Sequence, residues 1–209
     1  MMAMDETLYE TACDVLVLGI GNLLWADEGF GVRCVEQLMA EWSIPAGIKV
    51  MDGGTQGLYL LPYVQSARRL IVFDAIDYGL KPGTMKRVEG DEVPRFMGAK
   101  KMSLHQTGFQ EVIAASALTG HLPEELLLIG VQPEELDDYG GSLRPVVKAR
   151  LGEAVEMAIA QLRLWGYAPQ PVQGVVMDDS ALSMLAYEIG RPSAEAACRF
   201  GDDRFIHGA

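Results

Sequence analysis

The chain has 209 residues, 49% of them hydrophobic and 22% charged, which suits one globular domain with a sizeable core and room for an appendage. Its 17 basic side chains face 29 acidic ones, a net charge of -12. A surface that acidic repels phosphate backbones and argues against a nucleic-acid partner. Cys13, Cys34 and Cys198 are too few and too widely spaced for a disulfide framework or a CxxC zinc pair. Cys13 and Cys34 are expected to be small buried hydrophobes in a reduced, cytoplasmic setting. The first residues lack the basic region and apolar core of a secretory signal, and no apolar run approaches the roughly 18 residues that span a bilayer. A cytoplasmic protein off the membrane is the expectation.

Asp14 to Ile20 is Val- and Leu-rich and ends in glycine, like a strand buried on both faces of a parallel sheet. Gly31 to Trp42 follows with Val32, Val35, Met39 and Trp42 at helical spacing. Lys49 to Met51 predicts a second strand, running into Asp52-Gly53-Gly54-Thr55, and Gly57 to Gln65 a short helix. Arg69 to Phe73 predicts a third strand that stops at Asp74, and the more polar Thr84 to Val88 an edge strand. Gly108 to Ala117 predicts a helix with Phe109, Val112, Ile113 and Ala117 on one face. Leu126 to Val131 predicts another buried strand. Val146 to Trp165 predicts the longest helix, striped by Leu151, Val155, Ala158 and Leu162.

This alternation implies a mostly parallel, twisted sheet of four or five strands with helices on both faces. Functional groups of such sheets gather beyond the carboxyl ends of the strands. The α/β domain is expected over residues 1–168. From 169 to 209 an extension is expected: a linker over Pro169 to Gly174, then a short helix over Ser180 to Ile189 capped by Asp178 or Asp179.

Strand, Gly19-Ile20-Gly21, then helix suggests a dinucleotide loop, but Leu24 stands where the third glycine belongs, and no Gly-Lys-Ser/Thr follows. Asp27 and Glu28 come just before the expected helix, whose N-terminus would otherwise attract anions. Two carboxylates there repel a pyrophosphate and suit a cation. Asp27 reads more simply as a helix cap. Asp74, ending a buried strand, must be hydrated, paired or metal-bound. His105, placed just before a helix, is one of only three histidines; His121 reads as a surface residue and His207 as part of the tail. The Asp52 turn serves equally as a tight turn or a substrate-binding loop. Glu28, Asp74 and His105 reach one rim of the sheet, and two carboxylates with an imidazole make a metal-binding or acid/base constellation. There is no HExxH, no Gly-x-Ser-x-Gly, and no histidine partner in sequence for a cysteine nucleophile.

Together these segments resemble the hydrogenase maturation endopeptidases. The resemblance rests on Leu18-Gly19-Ile20-Gly21-Asn22, Asp27-Glu28-Gly29-Phe30-Gly31-Val32-Arg33, Asp52-Gly53-Gly54-Thr55-Gln56-Gly57, Val72-Phe73-Asp74-Ala75, Ser103-Leu104-His105-Gln106 and Leu128 to Glu134, in order across residues 14 to 165. It implies a peptidase that trims the C-terminus of a nickel-iron hydrogenase large-subunit precursor. It implies Glu28, Asp74 and His105 as transient ligands of nickel carried by that precursor, with no permanent cofactor, and Asp52 as an assisting base or positioning group. The tail from about Val172 extends beyond the compact core of shorter family members. Two other classes stand beside this reading. One is a checkpoint protein that recognises nickel without cutting; the other is a nucleotide-binding enzyme, which the missing glycine disfavours. A monomer is expected.

Overall fold

A computed structural model of the chain describes residues 13–94 and 104–172, and for 104–107 the backbone alone. The main sheet has five strands in the order β3-β1-β4-β6-β5. These are β1 (Cys13–Ile20), β3 (Ile48–Gly54), β4 (Ala67–Ala75), β5 (Met85–Glu89) and β6 (Glu125–Val131). All pairings are parallel except β5 with β6. β1, β4 and β6 are continuous apolar runs because both their faces are covered. β5 closes one edge, with exposed Arg87 and Glu89 blunting it.

Helices α1 (Phe30–Glu41), α4 (Pro145–Lys148) and α5 (Leu151–Leu164) cover one face. Phe30, Cys34, Val35 and Leu38 meet Val155, Ala158 and Leu162 there, over Val17, Ile71, Phe73 and Ile129. Helices α2 (Leu61–Ser66) and α3 (Leu104–Leu118) cover the other, where Val64, Phe109, Val112 and Ile113 pack on Leu16, Leu18, Val72 and Leu128. No helix among the described residues is long and apolar enough to cross a membrane.

The expected strands are all present, most of them longer at their ends. The helices differ more. The segment expected as one helix over Val146 to Trp165 breaks at Ala149 and Arg150 into α4 and α5, so the longest described helix is the 15-residue α3. On α1 the core-facing residue is Leu38, while Met39 stands 57% exposed. On α3 Ser116 is buried and Ala117 exposed. Cys34 is buried and Cys13 half-buried. The expected linker carries a short pairing of its own: β7 (Gln170–Pro171) bridges β2 (Trp42–Ser43) antiparallel, and the Val172 amide donates to Glu41 O at 2.7 Å. The expected helix over Ser180 to Ile189, Cys198 and His207 lie outside the described residues.

At the amino ends of the strands, Asp14 accepts from Arg68 Nε at 2.6 Å, from Arg69 Nη1 at 3.2 Å and from the Tyr167 hydroxyl. Glu125 accepts from Arg69 Nε at 2.7 Å and from Trp165 Nε1 at 2.8 Å. This network ties β1, β4 and β6 to the end of α5, opposite the carboxyl-end rim.

Candidate active site

The loop after β1 owes its glycines to packing. A Cβ on Gly31 would lie 2.3 Å from the carbonyl oxygens of both Ile20 and Phe73. Only glycine lets the start of α1 rest directly on the ends of β1 and β4. Gly21 has φ +138°, and a Cβ there would sit 1.8 Å from Glu28 O. The Asn22 amide donates to that same oxygen at 3.1 Å, closing the loop on itself. The backbone is pulled inward against the sheet, where a phosphate loop would open around a ligand.

Asp27 is fully buried, and its carboxylate caps no helix of its own. It accepts from the amides of Glu134 at 2.8 Å, Glu135 at 2.9 Å and Arg144 at 2.7 Å, while its own amide donates to Glu135 O. It therefore fastens the long loop after β6 to the glycine loop. Trp25 and Tyr139 complete that seam, with ring centroids 5.2 Å apart in an edge-to-face arrangement. The cap expected at Asp27 becomes a cross-loop anchor, because its three donors lie more than 100 residues away in sequence.

Glu28 follows in the same 3-10 turn (Ala26–Gly29) and is only 6% exposed. The turn packs against the carboxyl end of β4, where Asp74 is 1% exposed. Strand alternation sends Asp74 to the α2/α3 face, because its neighbour Phe73 packs under α1 and Val72 under α3. The structure thus brings two deeply buried carboxylates to one rim. Burying charge there is costly unless it is paired, hydrogen-bonded or bound to a cation.

His105 lies in the first turn of α3 and not before the helix. α3 leads into β6, which runs parallel to β1 and β4, so its start stands at the same carboxyl-end rim. A Cβ on Gly108 would be 3.2 Å from Gly57 Cα, so α3 begins almost in backbone contact with the loop that follows Asp52. The side chain of His105 lies outside what is described. Among the described residues no three His, Cys, Asp or Glu side chains form a metal-binding group.

Asp52 stands apart from Glu28 and Asp74. It is in register with Gly19, which is in register with Phe73, so it projects to the α1 face. Partial burial raises its pKa above the usual carboxylate value, opposed by the Gly54 amide and the Arg33 guanidinium, which lower it. Arg33 is 3% exposed on α1 and donates to Glu36 at 2.7 Å. A buried arginine in the stripe of α1 escapes a reading of apolar spacing alone. The sequence reading passes over Tyr78 and gives Gln132 no role beyond its place in the Leu128 to Glu134 segment. Gln132 Oε1 accepts from the amides of Tyr78 at 2.7 Å and Leu80 at 3.1 Å, folding the segment after β4 back over the strand ends.

Fold and rim define a three-layer α/β protein with two buried carboxylates at the rim where dinucleotide-binding folds hold phosphate. A family model described as hydrogenase maturation protease matches residues 32–161. The hydrogenase expression/formation protein HupD of Thiocapsa roseopersicina is 58% identical over 198 residues, covering 92% of this chain and 90% of its own. The hydrogenase maturating endopeptidase HybD from E. coli superposes with a TM-score of 0.71 at 40% identity, over 75% of this chain and 96% of its own. The NiFe hydrogenase maturation protease HybD from Thermococcus kodakarensis does so with a TM-score of 0.58 at 31% identity, over 70% and 97%. The chain belongs to the hydrogenase maturation protease family, and the family makes it an endopeptidase.

Proposed function

We propose that this protein removes the C-terminal peptide of a nickel-iron hydrogenase large-subunit precursor, directed by nickel already seated in that precursor, with Glu28, Asp74 and His105 as the transient ligands. The observation that supports this reading is the burial of two carboxylates, Glu28 and Asp74, at the rim where α3 begins with His105. Carboxylate oxygens and imidazole suit nickel. The acidic pair also disfavours an anionic ligand at that rim. The names of the solved relatives, among them a NiFe hydrogenase maturation protease, support the same substrate class.

In this mechanism the substrate's nickel polarises the scissile carbonyl or activates water. Water oxygen adds to the carbonyl carbon, the C–N bond breaks, and the released amine takes a proton. Asp52 assists from the α1 side. Its raised pKa makes it a better proton acceptor than an ordinary aspartate. The protein acts in the cytoplasm, as a monomer, and has no resident cofactor.

The test is the intact mass of a nickel-loaded large-subunit precursor incubated with this protein, beside a nickel-free control. Loss of one C-terminal peptide from the loaded precursor alone is expected. A stable complex with no mass change would instead mark a non-cleaving checkpoint protein. Glu28→Gln and His105→Ala are each expected to slow cleavage by at least roughly a hundredfold, since a polarising metal supplies several kcal/mol. Cleavage at the wild-type rate by both variants would sink the ligand assignment.

A further inference from the structure

Tyr78 is 6% exposed and belongs to the apolar cluster under α2 and α3, the face to which Asp74 projects. Its hydroxyl oxygen lies 1.9 Å from where a Cβ on Gly130 would stand. Gly130 is the register partner of Asp74 on the adjacent strand. Register partners in a sheet hold their side chains on one face, about 5 Å apart. The phenol therefore fills the place of the side chain that Gly130 lacks, immediately beside the Asp74 carboxylate. Gln132 fixes it there by accepting from the Tyr78 amide at 2.7 Å, while also donating to Asp77 at 3.0 Å. A phenol carries one O–H donor.

Resting on the ligand role given to Asp74 above, we propose that Tyr78 is a positioning residue for Asp74. With nickel bound, its hydroxyl donates to one carboxylate oxygen and leaves the other to the metal. Groups that orient a metal ligand in this way typically carry about ten- to a hundredfold in metal affinity. Tyr78→Phe removes only the oxygen and keeps the ring packed under α3. Gly130→Ala leaves the phenol intact but forces its oxygen out of place.

The experiment is titration of the full-length protein with nickel ion, followed by calorimetry, for wild type, Tyr78→Phe, Gly130→Ala, Asp74→Asn and the Asp74→Asn/Tyr78→Phe double variant. Thermal unfolding is measured on each. Tyr78→Phe and Gly130→Ala are expected to bind nickel at least roughly tenfold more weakly while remaining folded. The double variant is expected to bind no more weakly than Asp74→Asn alone, because the hydroxyl acts through that carboxylate. A tyrosine needed only for packing would shift the unfolding temperature and leave nickel affinity unchanged in either background. Wild-type affinity in Tyr78→Phe alongside a loss in Asp74→Asn overturns the positioning role and leaves the ligand role standing. Effects of Tyr78→Phe and Asp74→Asn that multiply also overturn it. Wild-type affinity in Asp74→Asn removes the ligand role itself, and the positioning role with it.

Discussion

Asp27 and Glu28 are adjacent acids in one turn, and the fold gives them unrelated tasks. Asp27 spends both carboxylate oxygens on three backbone amides of the loop after β6. Glu28 belongs to the turn packed against β4, the strand that carries Asp74. The two are separable by experiment. Asp27→Ala leaves three part-buried backbone donors without their acceptor and is expected to cost roughly 2–4 kcal/mol in urea unfolding. Glu28→Gln keeps its shape and hydrogen-bonding capacity and is expected to unfold within about 1 kcal/mol of wild type while losing cleavage. If Asp27→Ala proves as stable as wild type, the anchoring role is wrong. The sequence could show that both residues are acidic and early in a turn. It could not show which of them meets the amides of residues 134, 135 and 144, because that contact exists only once two distant loops are brought together.

At the scale of elements, most of the sheet is legible from sequence because a buried parallel strand is a continuous apolar run. Val15 to Ile20, Leu70 to Phe73 and Leu126 to Val131 each show it. Helix faces are less legible, because a stripe is marked by spacing and the spacing tolerates a shift of one residue. On α1 the expected stripe used Met39, whereas the sheet and α5 receive Leu38. Leu38→Ala is therefore expected to destabilise by about 2–5 kcal/mol, and Met39→Ala to stay within about 0.5 kcal/mol. Similar losses in the two variants would restore the original stripe. The break between α4 and α5 is likewise silent in the apolar pattern. It has no proline or glycine at Ala149 or Arg150 to mark it.

The whole molecule divides into a candidate functional rim at the carboxyl ends of the strands and a polar clasp at the amino ends. The Arg68 guanidinium, foremost, and the Tyr167 hydroxyl hold Asp14 down to a pKa of about 2. A carboxylate lowered in this way stabilises the folded state above its unfolded value near 3.9, and that contribution is lost as pH falls toward 2. The urea midpoint of wild type is expected to fall more steeply between pH 4 and pH 2.5 than that of Asp14→Asn. Solvent around this exposed pair keeps the difference modest. Parallel curves for the two proteins would show that the clasp contributes nothing. A second expectation concerns the extension. The E. coli relative aligns over 96% of its own length but only 75% of this chain, whereas the HupD relative covers 92% of it. Among the described residues, the buried members of both core clusters lie before Gly166. Truncation after Val172 is expected to leave the thermal midpoint within a few degrees, corresponding to about 1 kcal/mol or less. A drop well beyond that would give the extension a role in the core.

The sequence by itself determined the parallel α/β sheet, since runs of buried strand and amphipathic helix are local patterns set by hydrophobic burial. It also determined that the first glycine loop carries acids in place of a phosphate cradle, since charge is written residue by residue. Only the tertiary structure decided that Asp27 is an anchor, that Asp52 projects to the face opposite Asp74, and that Tyr78 fills the space Gly130 leaves beside Asp74. Those three facts depend on strand register and on loops meeting across the rim. Chain order records neither of them, because the contacts join residues on different strands and loops that only folding brings side by side.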